Sequence, residues 1–420
     1  MISKMDHRTP KWMVRSSRVA AGVVLGLMWL SPLPSQAATY TVLYSFTGKP
    51  NDGAFANGSL VQDDAGNLYG TTVGGGPYDL GTAFKVDTTG NETVLTKFDY
   101  ANGGSPQPGL ITHKGILYDT GDAGGYYGSG AVVKINDRGK VDLLYSFCSL
   151  AKCADGVFPQ YGVSRDSAGY LYGTAEEGGA HGQGLVFKLD SGGHESVLYS
   201  FCPNGGTCSD GAFPVSGAIR DSAGNLYGAA QQGPNNLQAC GNAPCGVIWK
   251  LDTSGHETVL HAFTGAPSDG AESYGLLAMD GIGSLYGTTV FGGNGTACQY
   301  GCGTVFKIDA SGSETVLHSF TGGTDGSRPG DLALVLDKKG NLYGTAPDGG
   351  AYGHGVVFRL STSGKLKILY SFHGQSDGGV PLAGLLLKQG VLYGETNTGG
   401  DLNCSESPGA GCGVVFKITL

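Results

Sequence analysis

The chain has 420 residues, 76 of them Gly, with 26 Lys+Arg against 35 Asp+Glu. That much glycine without a Gly-X-Y period excludes collagen, and 40% hydrophobic residues argue against a disordered tract; many tight turns between short strands is what remains. The acidic balance repels nucleic-acid phosphates, so no nucleic-acid partner is expected.

Residues 1–37 read as a secretory signal peptide. Lys4, Arg8, Lys11, Arg15 and Arg18 form a basic start, residues 19–30 ("VAAGVVLGLMWL") an apolar stretch, and "SQA" at 35–37 a small-residue cleavage site. Without them the chain keeps 21 basic against 34 acidic residues, a net charge of −13. No later segment is apolar enough to span a bilayer, and no C-terminal anchor is visible, so the expected location is secreted or periplasmic.

From residue 38 onward, four signatures recur in fixed order. An apolar run ends in Phe at positions 46, 98, 147, 201, 263, 320 and 372. A short apolar run such as "GLLAMD" (275–280) comes next. Then a turn such as "DSAGNLYG" (221–228) leads into Leu-Tyr-Gly, with Asp119 replacing the glycine once. Last is a "GTVFK"-like run, as at 303–307. Each is four to seven residues of Val, Ile, Leu, Phe and Tyr bounded by turn formers, which predicts strands. A period of about fifty to sixty residues with four strands per unit predicts an all-β, seven-bladed β-propeller over residues 38–420. The chain opens on a Phe-ending strand and stops after a "GVVFK" strand, so its ends are expected to pair within the last blade and close the ring.

Strand alternation places the "DxxG" and "DTSGHE"-type turns on one face and two long, variable connections on the other. The basic residue of "GTVFK" is expected to reach the short-turn face and meet the Asp of a "DxxG" turn. All ten Cys lie in the long connections as close pairs, Cys148/Cys153, Cys202/Cys208, Cys240/Cys245, Cys298/Cys302 and Cys404/Cys412. Local pairing and an oxidising compartment favour disulfides over zinc, and their expected role is to stiffen surface loops. Stiffened loops on a rigid scaffold make this face the expected ligand face. Asp52, Asp155, Asp210, Asp269, Asp325 and Asp377 recur there before Gly and read as turn-closing residues. The non-repeated candidates are Asp122, Tyr126, Tyr127, Glu176, Glu177, His181, Gln231, Gln232, Phe291, Tyr300, Asp348, Tyr352, His354, Glu395 and Asn397. Aromatic rings beside carboxylates and amides suit a glycan or protein surface. Glu176 and Glu177 are adjacent and point to opposite sides, a poor acid/base pair. No nucleophile triad, metal motif or nucleotide loop stands out, so no catalytic set, cofactor or metal is expected.

The repeat "VLYSF … DGA … GNLYG … GTVFK" resembles the bacterial choice-of-anchor tandem repeat GloVer-containing proteins, over essentially all of residues 38–420. That resemblance implies an exported or surface-attached repeat protein. The "GLxxDxxGNLYG" hairpin also resembles blades of NHL-type and gluconolactonase-like propellers. Lactonase propellers hold a divalent metal through Glu, Asn and Asp near the axis. No residue here matches those ligands position by position, so that activity is not carried over. The favoured expectation is a monomeric, non-enzymatic binder of a glycan or protein. The alternative is a secreted hydrolase or lyase acting on polysaccharides or lactones; a structural surface-layer role stays open.

Overall fold

The computed structural model describes residues 38–204, 208–234, 240, 245–330 and 333–420. The predicted signal peptide lies outside the described residues. Apart from one short 3-10 turn at Ala151–Cys153, every element among them is a β-strand, and the strands form seven antiparallel blades arranged in a ring.

Blade 6 shows the plan. The inner strand Val335–Leu336 pairs with Leu342–Ala346, which pairs with Val356–Leu360, which pairs with the outer strand Leu366–Ser371. The third strands are buried along nearly their whole length, because a neighbouring blade covers each face of the sheet. The seven Phe residues that end the outer strands are all fully buried. At six of the seven blade junctions the ring meets an aromatic of the next blade's third strand edge-on: Phe46 on Phe84 at 5.1 Å, and Phe201 on Trp249 at 5.8 Å, are examples. Burying such a side chain contributes about 1.5–3 kcal/mol, and the edge-to-face geometry adds to it.

The same aromatic explains the glycine of Leu-Tyr-Gly. A Cβ at Gly70 would lie 2.5 Å from the Phe84 ring, and one at Gly228 only 2.4 Å from Trp249. Blade 2 makes the exchange visible. Asp119 occupies the glycine position, and its register partner is Val133, the smaller residue that replaces Phe. The "DxxG" turn is held as expected. Asp63 Oδ1 accepts the Asn67 N–H at 2.8 Å, and Gly66 adopts φ 89°. Asp63 Oδ2 also accepts the Tyr69 hydroxyl at 3.0 Å, a bond repeated at Asp166, Asp221, Asp280 and Asp337. The basic residue does not pair with this Asp. Lys85, Lys250 and Lys307 instead lie over Tyr69, Tyr227 and Tyr286 at 5.8, 5.8 and 5.6 Å, because the tyrosine already fills the carboxylate.

The ring closes as expected. Thr39–Ser45 pairs antiparallel with Val414–Thr419, Thr39 opposite Thr419 and Ser45 opposite Val414, and forms the outer strand of blade 7. The inner strands run further than the sequence suggests. Val157–Arg165 of blade 3 is a single nine-residue strand that includes the stretch after Asp-Gly. In blades 1 and 4 the same stretch, Gly53–Ala56 and Ala212–Pro214, pairs with the far end of the second strand. In blade 5 the corresponding ladder is Gly270–Ala271 with Phe291–Gly292.

All five cysteine pairs are disulfides, Cys148–Cys153, Cys202–Cys208, Cys240–Cys245, Cys298–Cys302 and Cys404–Cys412, closing separations of 4 to 8 residues. Their role as surface-loop staples needs correction. Cys202 and Cys208 are 3% and 7% exposed and pack with Ala212 and Phe213, so Cys208 is a core residue and no part of an open loop. Cys240 and Cys245 are buried with Phe263, Cys302 with Phe320, and Cys404 and Cys412 with Phe46. Only Cys148, Cys153 and Cys298 stay half-buried. The physical reason is that the strands leave the ends of the buried Phe rings uncovered. The folded-back connection places its apolar sulfurs against that gap.

Candidate functional site

Every blade bends at a left-handed residue at the same place after its long connection: Phe55, Ser105, Phe158, Phe213, Glu272, Arg328 and Val380, with φ between 52° and 58°; blade 3 has a second, Tyr161 at 56°, further along its inner strand. A non-glycine residue holds that conformation only when its surroundings compensate. Here the bend aims its N–H across the junction, at the carbonyl just before the previous blade's third strand. Phe55 donates to Cys412 O at 2.9 Å, Glu272 to Cys245 O at 3.0 Å and Arg328 to Cys302 O at 2.8 Å. Five of the seven bends are followed directly by Pro, at 106, 159, 214, 329 and 381. The backbone of the bend is architectural; its side chains are free to vary.

Those side chains, and the second residue after each, meet the end of the second strand on the long-loop face. In blade 3, Gln160 Nε2 donates to Glu176 Oε2 at 2.9 Å. In blade 2, Gln107 Nε2 donates to Ser105 O at 3.3 Å, and the Asp122 N–H donates to the same carbonyl at 3.3 Å. Gln231 of blade 4 donates through Nε2 to the Tyr274 hydroxyl at 2.9 Å, and that hydroxyl donates to Glu272 Oε2 at 3.0 Å in blade 5. Arg328 Nε donates to Asp348 Oδ2 at 2.6 Å in blade 6. A polar arc therefore runs over blades 2 to 6. Burial raises the pKa of Asp122 above the ordinary carboxylate range, opposed by the nearby polar groups of Gln107 and Ser105 and helped by the charge of Glu176. Burial likewise raises Glu176 and Glu272 against the bonds from Gln160 and Tyr274.

Beside the arc opens a cleft of about 420 Å³ lined by Glu272, Tyr274, Phe291, Arg328, Asp348 and Leu382, among others. Phe291 and Tyr300 stand edge-on at 6.4 Å. Exposed tyrosines crowd the same long connections: Tyr78, Tyr100, Tyr126, Tyr127, Tyr300 and Tyr352, with Tyr126 81% exposed. Tyr352 stacks on His373 at 3.9 Å. A trough of about 510 Å³ on the short-turn face is larger. It is walled by turn residues such as Asp63, whose carboxylate is already bonded to Asn67 and Tyr69. We therefore place the site on the long-loop face.

Of the residues singled out from the sequence, Asp122, Glu176, Gln231, Phe291 and Asp348 join the arc or the cleft. Glu177 and His181 are exposed beside it, and Gln232 is half-buried in the ladder opposite Ala212. Asn397 donates its backbone N–H to Val380 O at 3.0 Å, next to one of the bends. His354 packs against Gly374. Glu395 is a correction. It is fully buried, and its Oε1 lies 2.6 Å from where a Gly70 Cβ would stand, so it faces blade 1 and no ligand. The strand's alternation turns the residue after Leu-Tyr-Gly into the blade junction. The recurrent Asp-Gly carboxylates close turns as expected: Asp52 Oδ2 accepts the Thr47 N–H at 2.7 Å and the Tyr44 hydroxyl at 2.8 Å. Buried bridges such as Cys202–Cys208 hold the roots of the long connections and offer a ligand no surface of their own. The residues missed were Gln107, Gln160, Glu272, Tyr274 and Arg328. The available signal was variation at the second and fourth positions after Asp-Gly, in a motif otherwise constant.

The repeat pattern described as the Gloeobacter/Verrucomicrobia repeat matches residues 32–162, 149–332 and 236–420. The chain belongs to that repeat family. No curated protein matches it. Among solved structures it is similar to a gluconolactonase of Xanthomonas campestris, at 14% identity and a TM-score of 0.42, over 90% of this chain and 98% of that one. It is also similar to PorZ, a surface component of the type-IX secretion system of Porphyromonas gingivalis, at 13% identity and a TM-score of 0.47, over 86% of this chain and 46% of that one. In this Gloeobacter/Verrucomicrobia repeat protein, the Phe-ending strand of each sequence unit completes the preceding blade, and the variable positions of successive units meet on one face.

Proposed function

We propose that this protein is an exported, monomeric propeller that binds a glycan at the long-loop face without chemically altering it. The observation that carries this reading is the joining of amide and carboxyl groups from blades 2 to 6 with the exposed tyrosines of the surrounding loops. Sugar hydroxyls need donors and acceptors held in place, and sugar rings need flat apolar surfaces. Gln160, Glu176, Gln231 and Tyr274 supply the first; Tyr126, Tyr127 and Tyr300 supply the second. Export accords with five disulfides, which persist in oxidising compartments. No helix among the described residues is long and apolar enough to cross a membrane.

The test is a glycan array followed by calorimetry on the oxidised protein. A bound polysaccharide fragment is expected, with affinity falling at least about tenfold, or about 1.4 kcal/mol, in a Tyr126→Ala/Tyr127→Ala variant. Absence of any bound glycan refutes the reading.

Hydrolysis is the second reading, and Asp122 with Glu176 favours it. Burial raises both carboxyls and the charge of Glu176 raises Asp122 further, and two carboxyls in unlike environments can divide acid and base roles. Reducing-end release from the bound glycan, falling in Glu176→Gln by far more than the affinity falls, would support it over simple binding.

A further inference from the structure

At the rim of the ring, outer strands and Asp-Gly turns of neighbouring blades build one motif repeatedly. The residue two before the terminal Phe bonds the turn Asp, and a Glu from the next blade's outer strand approaches the same Asp. Three junctions combine Tyr with that Glu. Tyr44, Tyr145 and Tyr199 each donate to Asp52, Asp155 and Asp210 at 2.8 Å, and Glu92, Glu195 and Glu257 lie within electrostatic reach of those carboxylates. Between blades 4 and 5 the tyrosine is replaced by His261. Its Nε2 lies 3.1 Å from Asp269 Oδ2, and Glu314 completes the set. Ligand-capable atoms of all three residues fall within 4.8 Å of one another.

We propose that His261, Asp269 and Glu314 form a zinc-class divalent metal site that pins blade 4 to blade 5. Imidazole nitrogen and carboxylate oxygen are zinc ligands at about 2.0–2.2 Å, which sets two such atoms about 3.3 Å apart on a tetrahedral ion. The His261–Asp269 separation is close to that value. Glu314 Oε1 is buried and has no hydrogen-bond partner, a state it shares with Glu92, Glu195 and Glu257, but only here does it stand with an imidazole in place of a phenol. Asp269 is oriented by the N–H and hydroxyl of Thr264 at 2.8 and 3.0 Å and by the Gly270 N–H at 2.6 Å, an outer shell that holds a ligand in place. The side chains of His261 and Asp269 are 21% and 10% exposed, so an ion can enter and a water can take the fourth position.

The other junctions show why this one is singled out. Where Tyr stands, the phenol is a poor ligand for a zinc-class ion. At the next junction His318 lies 3.5 Å from Asp325, but Leu366 stands where the Glu would be, so the third ligand is missing. The other metal-capable group among the described residues, Cys404, Glu406 and Cys412, has its two sulfurs joined in a disulfide.

The test uses untagged, chelator-treated, oxidised protein titrated with Zn²⁺ alone. Calorimetry and elemental analysis are expected to show one bound equivalent with a Kd at or below about 1 μM, and a matching rise in Tm. His261→Tyr restores the residue that four sister junctions carry, so it keeps the fold; it is expected to lose the bound equivalent and the Tm rise. Glu314→Gln should weaken binding at least about tenfold. Wild-type protein that binds no stoichiometric zinc, or a His261→Tyr variant that binds it as tightly, overturns the proposal.

Discussion

The two faces of the ring are built from the same strands and behave oppositely. On the short-turn face five blades repeat one hydrogen-bond set, an Asp holding its own turn and the tyrosine six residues on. On the long-loop face the backbone repeats as strictly, with a left-handed bend at the same place in all seven blades, yet the side chains at those bends run from Phe to Ser, Glu, Arg and Val. Constant backbone with free side chains is what lets a repeat scaffold carry a site. The short-turn face has no such freedom, because its side chains are what shape its turns.

The largest way to break the comparison is to remove what both faces rest on. Phe201→Ala deletes a fully buried ring packed on Trp249 and should cost about 3–5 kcal/mol, measured by denaturant unfolding. Blade 2 offers the reverse change. Asp119 is fully buried, its Oδ2 has no partner at hydrogen-bonding geometry although Thr71 stands nearby, and burial pushes its pKa well above the carboxylate range. Exchanging it for the glycine and aromatic of other blades, Asp119→Gly with Val133→Phe, should raise stability by about 1–3 kcal/mol. Asp119→Gly alone should not, because it leaves the space that Val133 cannot fill. Asp221→Ala on the short-turn face removes bonds to Asn225 and Tyr227 and should cost about 1–2 kcal/mol while leaving glycan binding intact. The bend-derived side chains should do the opposite: Gln160→Ala should weaken glycan binding and barely move Tm.

The smallest expected effect is a pH dependence set at the rim. Burial, with the nearby turn Asp adding to it, raises Glu92 and Glu195 to about 7 and Glu257 to about 8, from 4.5. A raised carboxyl pKa means the folded state holds its proton more tightly than the unfolded chain. Its contribution is therefore full below about pH 4.5 and is lost as pH rises through 7 to 8. The turn carboxylates have the opposite sign. At Asp63 burial is outweighed by bonds from Asn67 and Tyr69, which hold its pKa below 3.8, so its contribution disappears in acid. Tm should peak in mildly acidic buffer and fall toward pH 9. Glu195→Gln with Glu257→Gln should flatten the alkaline side; an unchanged slope would assign it to other groups.

Fold, blade number, ring closure and disulfide pairing were legible in the chain because each depends on local periodicity or on neighbours in sequence. A strand is announced by its own residues, and cysteines four to eight apart can find only each other easily. The Asp of the Asp-Gly pair was also readable as a turn former. What tertiary structure alone decided lies at the junctions and beneath the loops. Gln231 meets Tyr274 across 43 residues, and Glu395 turns inward toward Gly70 in a different blade. Cys208 pairs as its spacing says, but its burial depends on how the connection folds back over the blade. His261 and Glu314 converge on one Asp from two outer strands. The physical reason is that a strand's own pattern fixes which residues alternate, while the twist of each blade against the next decides what those residues meet. Repetition in sequence is one-dimensional; the contacts between repeats are made only when the ring closes.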